Sequence, residues 1–254
     1  MGLYYDKIVL FGDSITQMSF GKGLDFSFAA NLSDDYQRRL DIENRGYGGY
    51  NSKHAVEILP EILSTQRGQS KIKLLIIFFG TNDSKSSFQG VPLNDYRQNM
   101  EKLVQMAQDA EAKTVVIGPG LHDPKMWEIQ LKEWGVPIHS DVTSNKKNRA
   151  YADAAKDVAK KFNVPFIDMW KRFQEYGKWT EDQLQEEYVP LQELLTDGVH
   201  FAGKAYEILY KEVVGAIAQH YPELKPENLK EKLAYFDQID NNDLRRSIFS
   251  TEQN

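Results

Sequence analysis

Short apolar runs alternate with amphipathic stretches along most of this chain. Lys7-Ile-Val-Leu-Phe11 is apolar after its first residue and closes at Gly12, which predicts a buried strand. Phe26 to Leu40 reads as a helix and Ile42-Glu-Asn44 as a short strand. Ser52 to Leu63 reads as a second helix with Ser52 at its N-cap. Lys73 to Phe79 is the strongest strand, apolar at successive positions as the interior of a parallel sheet requires. Leu93, Tyr96, Met100, Leu103, Val104 and Ala107 recur at helical spacing and predict a helix over 94–110. Thr114 to Ile117 and Val164 to Asp168 complete the strands, with helices expected over 145–162 and 203–221. Gln17 to Phe28 and Gly118 to Thr143 read as irregular.

Strands that alternate with helices in this way predict right-handed crossovers. The fold expected is a three-layer, flavodoxin-like α/β fold: about five parallel strands with helices on both faces. Ligands of such sheets bind at the carboxyl ends of the strands. Residues 1–221 are expected to form this domain. Residues 222–254 are expected to be an extension, partly helical or disordered. Its apolar residues Leu229, Leu233, Tyr235 and Phe236 suggest a surface for a second copy of the chain, which would make a homodimer.

Composition narrows the classes. Hydrophobic residues make up 41% of the chain, enough for a sizeable core. The net charge of −6 is spread along the chain and offers no basic footprint, so no nucleic-acid partner is expected. Cysteine is absent, which excludes disulfides, zinc–thiolate sites and a cysteine nucleophile. The longest apolar run, Leu74 to Phe79, is far short of a membrane span, and Met1 to Ile8 has no signal-peptide pattern, so a cytoplasmic protein is expected.

Four clusters can carry chemistry, and each also has a plain structural reading. Ser14, in Phe11-Gly-Asp-Ser14-Ile-Thr16, follows a buried strand and opens a helix or turn, so its hydroxyl would face the crevice. The plain reading is that Ser14 or Asp13 only caps that helix. Asp197-Gly-Val-His200 offers a histidine base with a carboxylate close enough to orient it, or else an ordinary surface turn. Asn82, in Gly80-Thr-Asn82-Asp83, can donate an amide hydrogen at the end of the central strand, or else form an Asx turn. Gly46-Tyr-Gly48-Gly49 lets backbone approach a ligand, or is simply a turn.

Together these blocks, in this order, resemble the GDSL esterases, also called SGNH hydrolases. The matching segments are Gly12-Asp-Ser14, a glycine of Gly48-Gly49, Gly80-Thr-Asn82-Asp83 and Asp197-x-x-His200. Leu10-Phe-Gly-Asp-Ser-Ile-Thr16, Ile58-Leu-Pro-Glu-Ile-Leu63, Ile117-Gly-Pro-Gly-Leu121 and Leu194-Leu-Thr-Asp-Gly-Val-His-Phe201 are similar to the family's fungal isoamyl acetate-hydrolysing branch. Ile15 stands where the family usually has Leu. The resemblance implies a catalytic triad of Ser14, Asp197 and His200. It implies an oxyanion hole from Ser14 N–H, the Gly49 N–H (Gly48 as the alternative) and the Asn82 amide. No metal or organic cofactor is expected.

The implied substrate is a small acetate ester, isoamyl acetate among them. Longer acyl esters, acetylated sugars and thioesters use the same chemistry. Phe20, Phe26, Phe28, Met126, Trp127 and Trp134 are candidates for an apolar pocket, although such residues commonly serve packing alone. The competing classes are an idle binding module on the same fold and a flavin or nucleotide binder with the same sheet.

Overall fold

In a computed structural model, which describes residues 3–65, 70–137, 142–186 and 188–250, β1 (Asp6–Gly12) alternates between two cores. Ile8 and Leu10 face one layer of helices, and Val9 and Phe11 face the other. β3 (Ile72–Phe78) divides in the same way, Leu74 and Ile76 to one side and Leu75 and Ile77 to the other. From Ile8 in β1 and Leu74 in β3 onward both strands are therefore continuously apolar, as two-sided burial demands.

With β2 (Leu40–Gly46), β4 (Lys113–Gly118) and β5 (Phe166–Asp168) they form one parallel sheet of five strands, ordered β2-β1-β3-β4-β5. One face carries α2 (Phe28–Asp35), α7 (Met169–Gly177) and α9 (Gly203–His220). The other carries α3 (Ser52–Ser64), α4 (Leu93–Asp109) and α6 (Asn145–Lys161). The strand order reverses between β1 and β3, and a crevice opens at such a switch point. α1 (Ser14–Gln17) follows β1 directly at that edge.

Several expected elements change length or kind. The helix expected over 26–40 is only α2. Asp34 and Asp35 oppose the negative end of its dipole, Arg38 turns left-handed at φ 63°, and Leu40 already belongs to β2. At α3 the N-cap is Asn51 rather than Ser52. Its Oδ1 accepts from His54 N–H at 3.1 Å, while His54 Nδ1 accepts from Asn51 N–H. The irregular stretch expected over 118–143 contains α5 (Pro124–Glu133), started by the Asp123 cap and a proline in its first turn. α7 and α8 (Glu181–Glu186) were not anticipated.

Beyond α9 the chain makes short 3₁₀ turns and one short helix, α10 (Leu244–Ile248), within the extension expected to be partly helical or disordered. Much of this tail lies against its own chain. Arg38 donates to the carbonyls of Lys232, Leu233 and Ala234, Tyr36 donates to the Leu224 carbonyl, and Leu229 packs on the core. Tyr235 and Phe236 remain exposed. Among the described residues no helix is long and apolar enough to cross a membrane.

Candidate active site

Asp13 follows β1 directly and caps α1, its Oδ1 accepting from Ile15 N–H at 2.9 Å. The plain capping reading is thus correct for Asp13, and it leaves Ser14 as the first helical residue. A first-turn N–H has no intrahelical acceptor, so the N–H of Ser14 stays available beside its own hydroxyl. Tyr206 of α9 donates to the Ile15 carbonyl at 2.6 Å and fixes the short helix from behind.

The turn after Leu195 is closed by an isolated bridge between Leu195 and Phe201. Asp197 organises it: Oδ1 accepts from the N–H groups of Val199 and His200, and Oδ2 lies 2.6 Å from His200 Nδ1. A carboxylate only accepts, so Nδ1 carries the proton and Nε2 presents a lone pair. That Nε2 lies 2.9 Å from Ser14 Oγ, across 186 residues of sequence. Burial would raise the Asp197 carboxyl. The hydrogen bond and charge of His200, with the two backbone N–H groups, outweigh this and hold it below its ordinary value.

Gly198 permits this turn. Its φ is +99°, and a Cβ there would stand 2.4 Å from the Asp123 carbonyl and 2.6 Å from Trp127 N. Its carbonyl accepts from Asp123 N–H at 2.9 Å and from buried His122 Nδ1–H at 2.9 Å. The turn and the start of α5 are therefore packed backbone to backbone.

On the other side, Asn82 Nδ2 donates to the Tyr50 carbonyl at 2.8 Å, which leaves its second amide hydrogen for the cavity. Gly48 N–H is engaged by Gln17 Oε1 at 2.7 Å, whereas Gly49 N–H has no hydrogen bond among the described residues. Ser14, Gly49, Asn82 and His200 line one cavity of about 310 Å³. Trp127, Leu131, Trp134 and Val136 give it an apolar wall, and Lys85, Phe88 and Gln89 complete the lining, with Lys85 Nζ 4.7 Å from the centre of the Trp127 ring. A wider groove of about 450 Å³ at Glu111, Lys113, Thr114, His220 and Tyr221 holds no comparable grouping.

Of the aromatic candidates, Trp127 and Trp134 line the cavity. Phe28 is in the core, Phe26 meets Tyr210 at a tilt of 58°, and Phe20 and Met126 lie outside the lining. Leu131, one helical turn beyond Trp127 on α5, went unread because that helix did. Gln89 and Lys85 lie in a polar loop with no motif. Among the described residues no cluster of histidine and acidic side chains is arranged to hold a metal ion.

Two buried carboxyls underlie the cavity. Burial raises Asp13 from 3.8 to about 6, against the lowering effect of Ile15 N–H. Burial raises Asp83 from 3.8 to about 7, with the charge of Asp13 adding to it. The second oxygen of each has no hydrogen-bond partner among the described residues. Both groups bind protons more tightly folded than unfolded, so their contribution to stability declines as pH rises from about 4 to about 7. Taken singly, the shifts correspond to a loss of about 3 kcal/mol for Asp13 and about 4 kcal/mol for Asp83. Asp83→Asn keeps the acceptor for Ser52 N–H (2.9 Å) and removes the titration. Urea midpoints should show its advantage over the parent growing from pH 4 to 7.5; a constant difference would contradict this account.

The sequence model of the GDSL-like Lipase/Acylhydrolase family matches residues 10–208. The chain is 37% identical over 239 residues to the isoamyl acetate-hydrolyzing esterase of Saccharomyces cerevisiae, covering 90% of this chain and 93% of that protein. It is 30% identical over 215 residues to the human isoamyl acetate-hydrolyzing esterase 1 homolog, covering 82% and 79%. Among solved structures, the lipase/acylhydrolase from Enterococcus faecalis superposes with a TM-score of 0.58 at 23% identity, covering 90% of this chain and all of that one.

Proposed function

From the premise that this chain belongs to the GDSL-like lipase/acylhydrolase family and is a carboxylic ester hydrolase, we propose a serine esterase of small acetate esters, isoamyl acetate among them. The observation that carries the mechanism is the continuous relay from Ser14 Oγ to His200 Nε2 (2.9 Å) and from Nδ1 to Asp197 Oδ2 (2.6 Å), opening on the cavity.

Neutral His200 takes the Ser14 proton as Oγ attacks the ester carbonyl. Asp197 keeps the imidazole in the competent tautomer and stabilises the imidazolium. The N–H groups of Ser14 and Gly49 and the free hydrogen of the Asn82 amide receive the negative oxygen. Gly49 is preferred to Gly48 because Gln17 already engages the Gly48 N–H. The imidazolium then protonates the departing alkoxide, and the alcohol leaves an acyl-serine. Water, deprotonated by the same imidazole, attacks that ester, and acetate leaves as Oγ regains its proton.

The apolar wall and limited volume of the cavity favour a short, branched substrate over a long chain. p-Nitrophenyl esters of increasing acyl length test this reading, with turnover expected to be highest at acetate or close to it. A maximum at eight carbons or beyond would replace it with a long-chain esterase or thioesterase. For the oxyanion donor, Asn82→Ala is expected to lower kcat by roughly 10²–10³ with little change in KM, because the charge it meets exists only in the transition state. A loss confined to KM would assign Asn82 to ground-state binding instead.

A further inference from the structure

The left-handed backbone of Gly49 (φ +79°) has few intrinsic constraints, so its peptide planes take their orientation from neighbours. Two carboxamides reach it from opposite sides. Gln17 Oε1 accepts from Gly48 N–H at 2.7 Å, and Gln89 Nε2 donates to the Gly49 carbonyl at 2.8 Å. The loop is tied further where Asn51 Nδ2 donates to the Gln89 carbonyl at 2.7 Å. These bonds engage the Gly48 N–H and the Gly49 carbonyl and leave the Gly49 N–H without a hydrogen bond among the described residues, in a residue that lines the cavity.

We propose that Gln17 and Gln89 are positioning residues for the oxyanion donor, holding the Gly48–Gly49 backbone so that the Gly49 N–H meets the charge on the reacting oxygen. The proposal rests on the acyl-serine reading above. Gln17 acts through Gly48 and Gln89 through the Gly49 carbonyl; neither contributes a reacting atom. Rotation of either flanking peptide plane would turn the Gly48–Gly49 plane between them and withdraw its N–H, while the apolar wall of Trp127, Leu131 and Trp134 stayed in place. The cost therefore falls on kcat and leaves KM nearly unchanged.

The two glutamines work in opposite senses, and this makes the role separable from mere packing. Gln17 accepts, so Gln17→Glu keeps the bond and Gln17→Leu removes it. Gln89 donates, so Gln89→Glu and Gln89→Leu both remove it. Steady-state kinetics on p-nitrophenyl acetate, with inhibition by a short alkylboronic acid, read the difference. The boronate forms a tetrahedral anion on a serine and so reports the oxyanion site. Neither KM nor the inhibition constant depends on how much of a variant is folded.

Gln89→Leu and Gln89→Glu should each lose about tenfold in kcat, with inhibition weakened in proportion and KM within about twofold. Gln17→Leu should lose several-fold, and Gln17→Glu should recover most of that loss. Parental kcat in Gln89→Leu, or equal losses in the two Gln17 variants, overturns the proposal while Ser14→Ala stays inactive. Full turnover by Ser14→Ala would overturn the acyl-serine reading and the proposal together.

Discussion

Ser14→Ala should lower turnover of p-nitrophenyl acetate by about 10⁴–10⁶-fold, the scale seen when a serine hydrolase loses its nucleophile. Ser14 sits at the first position of α1, where the cap is supplied by Asp13 and the rear support by Tyr206. Neither depends on the hydroxyl, so the variant should melt within a few degrees of the parent. It should also fail to react with a fluorophosphonate probe, which forms its bond to Oγ. A folded variant that still turns over at a tenth of the parental rate would remove Ser14 from the mechanism. Asn82 and Gly49 would then line a cavity whose nucleophile lies elsewhere.

The second large effect belongs to Asp197→Asn, with an expected fall in kcat of about 10⁴. An asparagine oxygen can still accept the N–H groups of Val199 and His200, so the turn should survive. Its NH₂ would then face His200 Nδ1 and could only donate. The imidazole would have to place its proton on Nε2, toward Ser14 Oγ, where a lone pair is needed. The substitution therefore separates two functions of one carboxylate: Oδ1 shapes the turn and Oδ2 selects the tautomer. A loss below tenfold would reduce Asp197 to the first. Combining it with Ser14→Ala should cost no more than Ser14→Ala alone, since a base without a nucleophile has nothing to deprotonate.

The sheet was readable in sequence because two-sided burial leaves continuous apolar runs, and β1, β3 and β4 have them. β2 was read short since its residues alternate charge with apolar groups at the edge of the sheet, where Glu43 pairs with Lys7. That Ser14, Asn82 and the glycine turn would meet at one cavity was readable because each follows a strand, and strand ends at a switch point converge. That His200 would reach Ser14 rested on the resemblance, since no local rule connects residues 186 apart.

What could not be read was the cavity wall. α5 has a legible start, Asp123 before Pro124, yet three prolines and scattered tryptophans gave the segment an irregular appearance. Phe28 looked like a pocket residue and went to the core, because it starts an amphipathic helix whose inner face needed it. Gln17 and Gln89 carry no signal at all: an amide side chain acquires meaning only from the carbonyl or N–H it meets.

The shared hydrogen bonding at the Gly198 carbonyl has a consequence for how this enzyme can change. The helix that walls the cavity is anchored through His122 and its cap Asp123, just before its first residue, to the loop carrying His200, so displacing that end would drag the imidazole with it. Remodelling for bulkier esters is therefore channelled toward the opposite end, at Leu131, Trp134 and Val136, where a side chain can be exchanged without disturbing the anchor. Selectivity and chemistry are thus mechanically joined at one end of a single short helix and independent at the other. The independent end is where a lineage, or a designer, has room to explore.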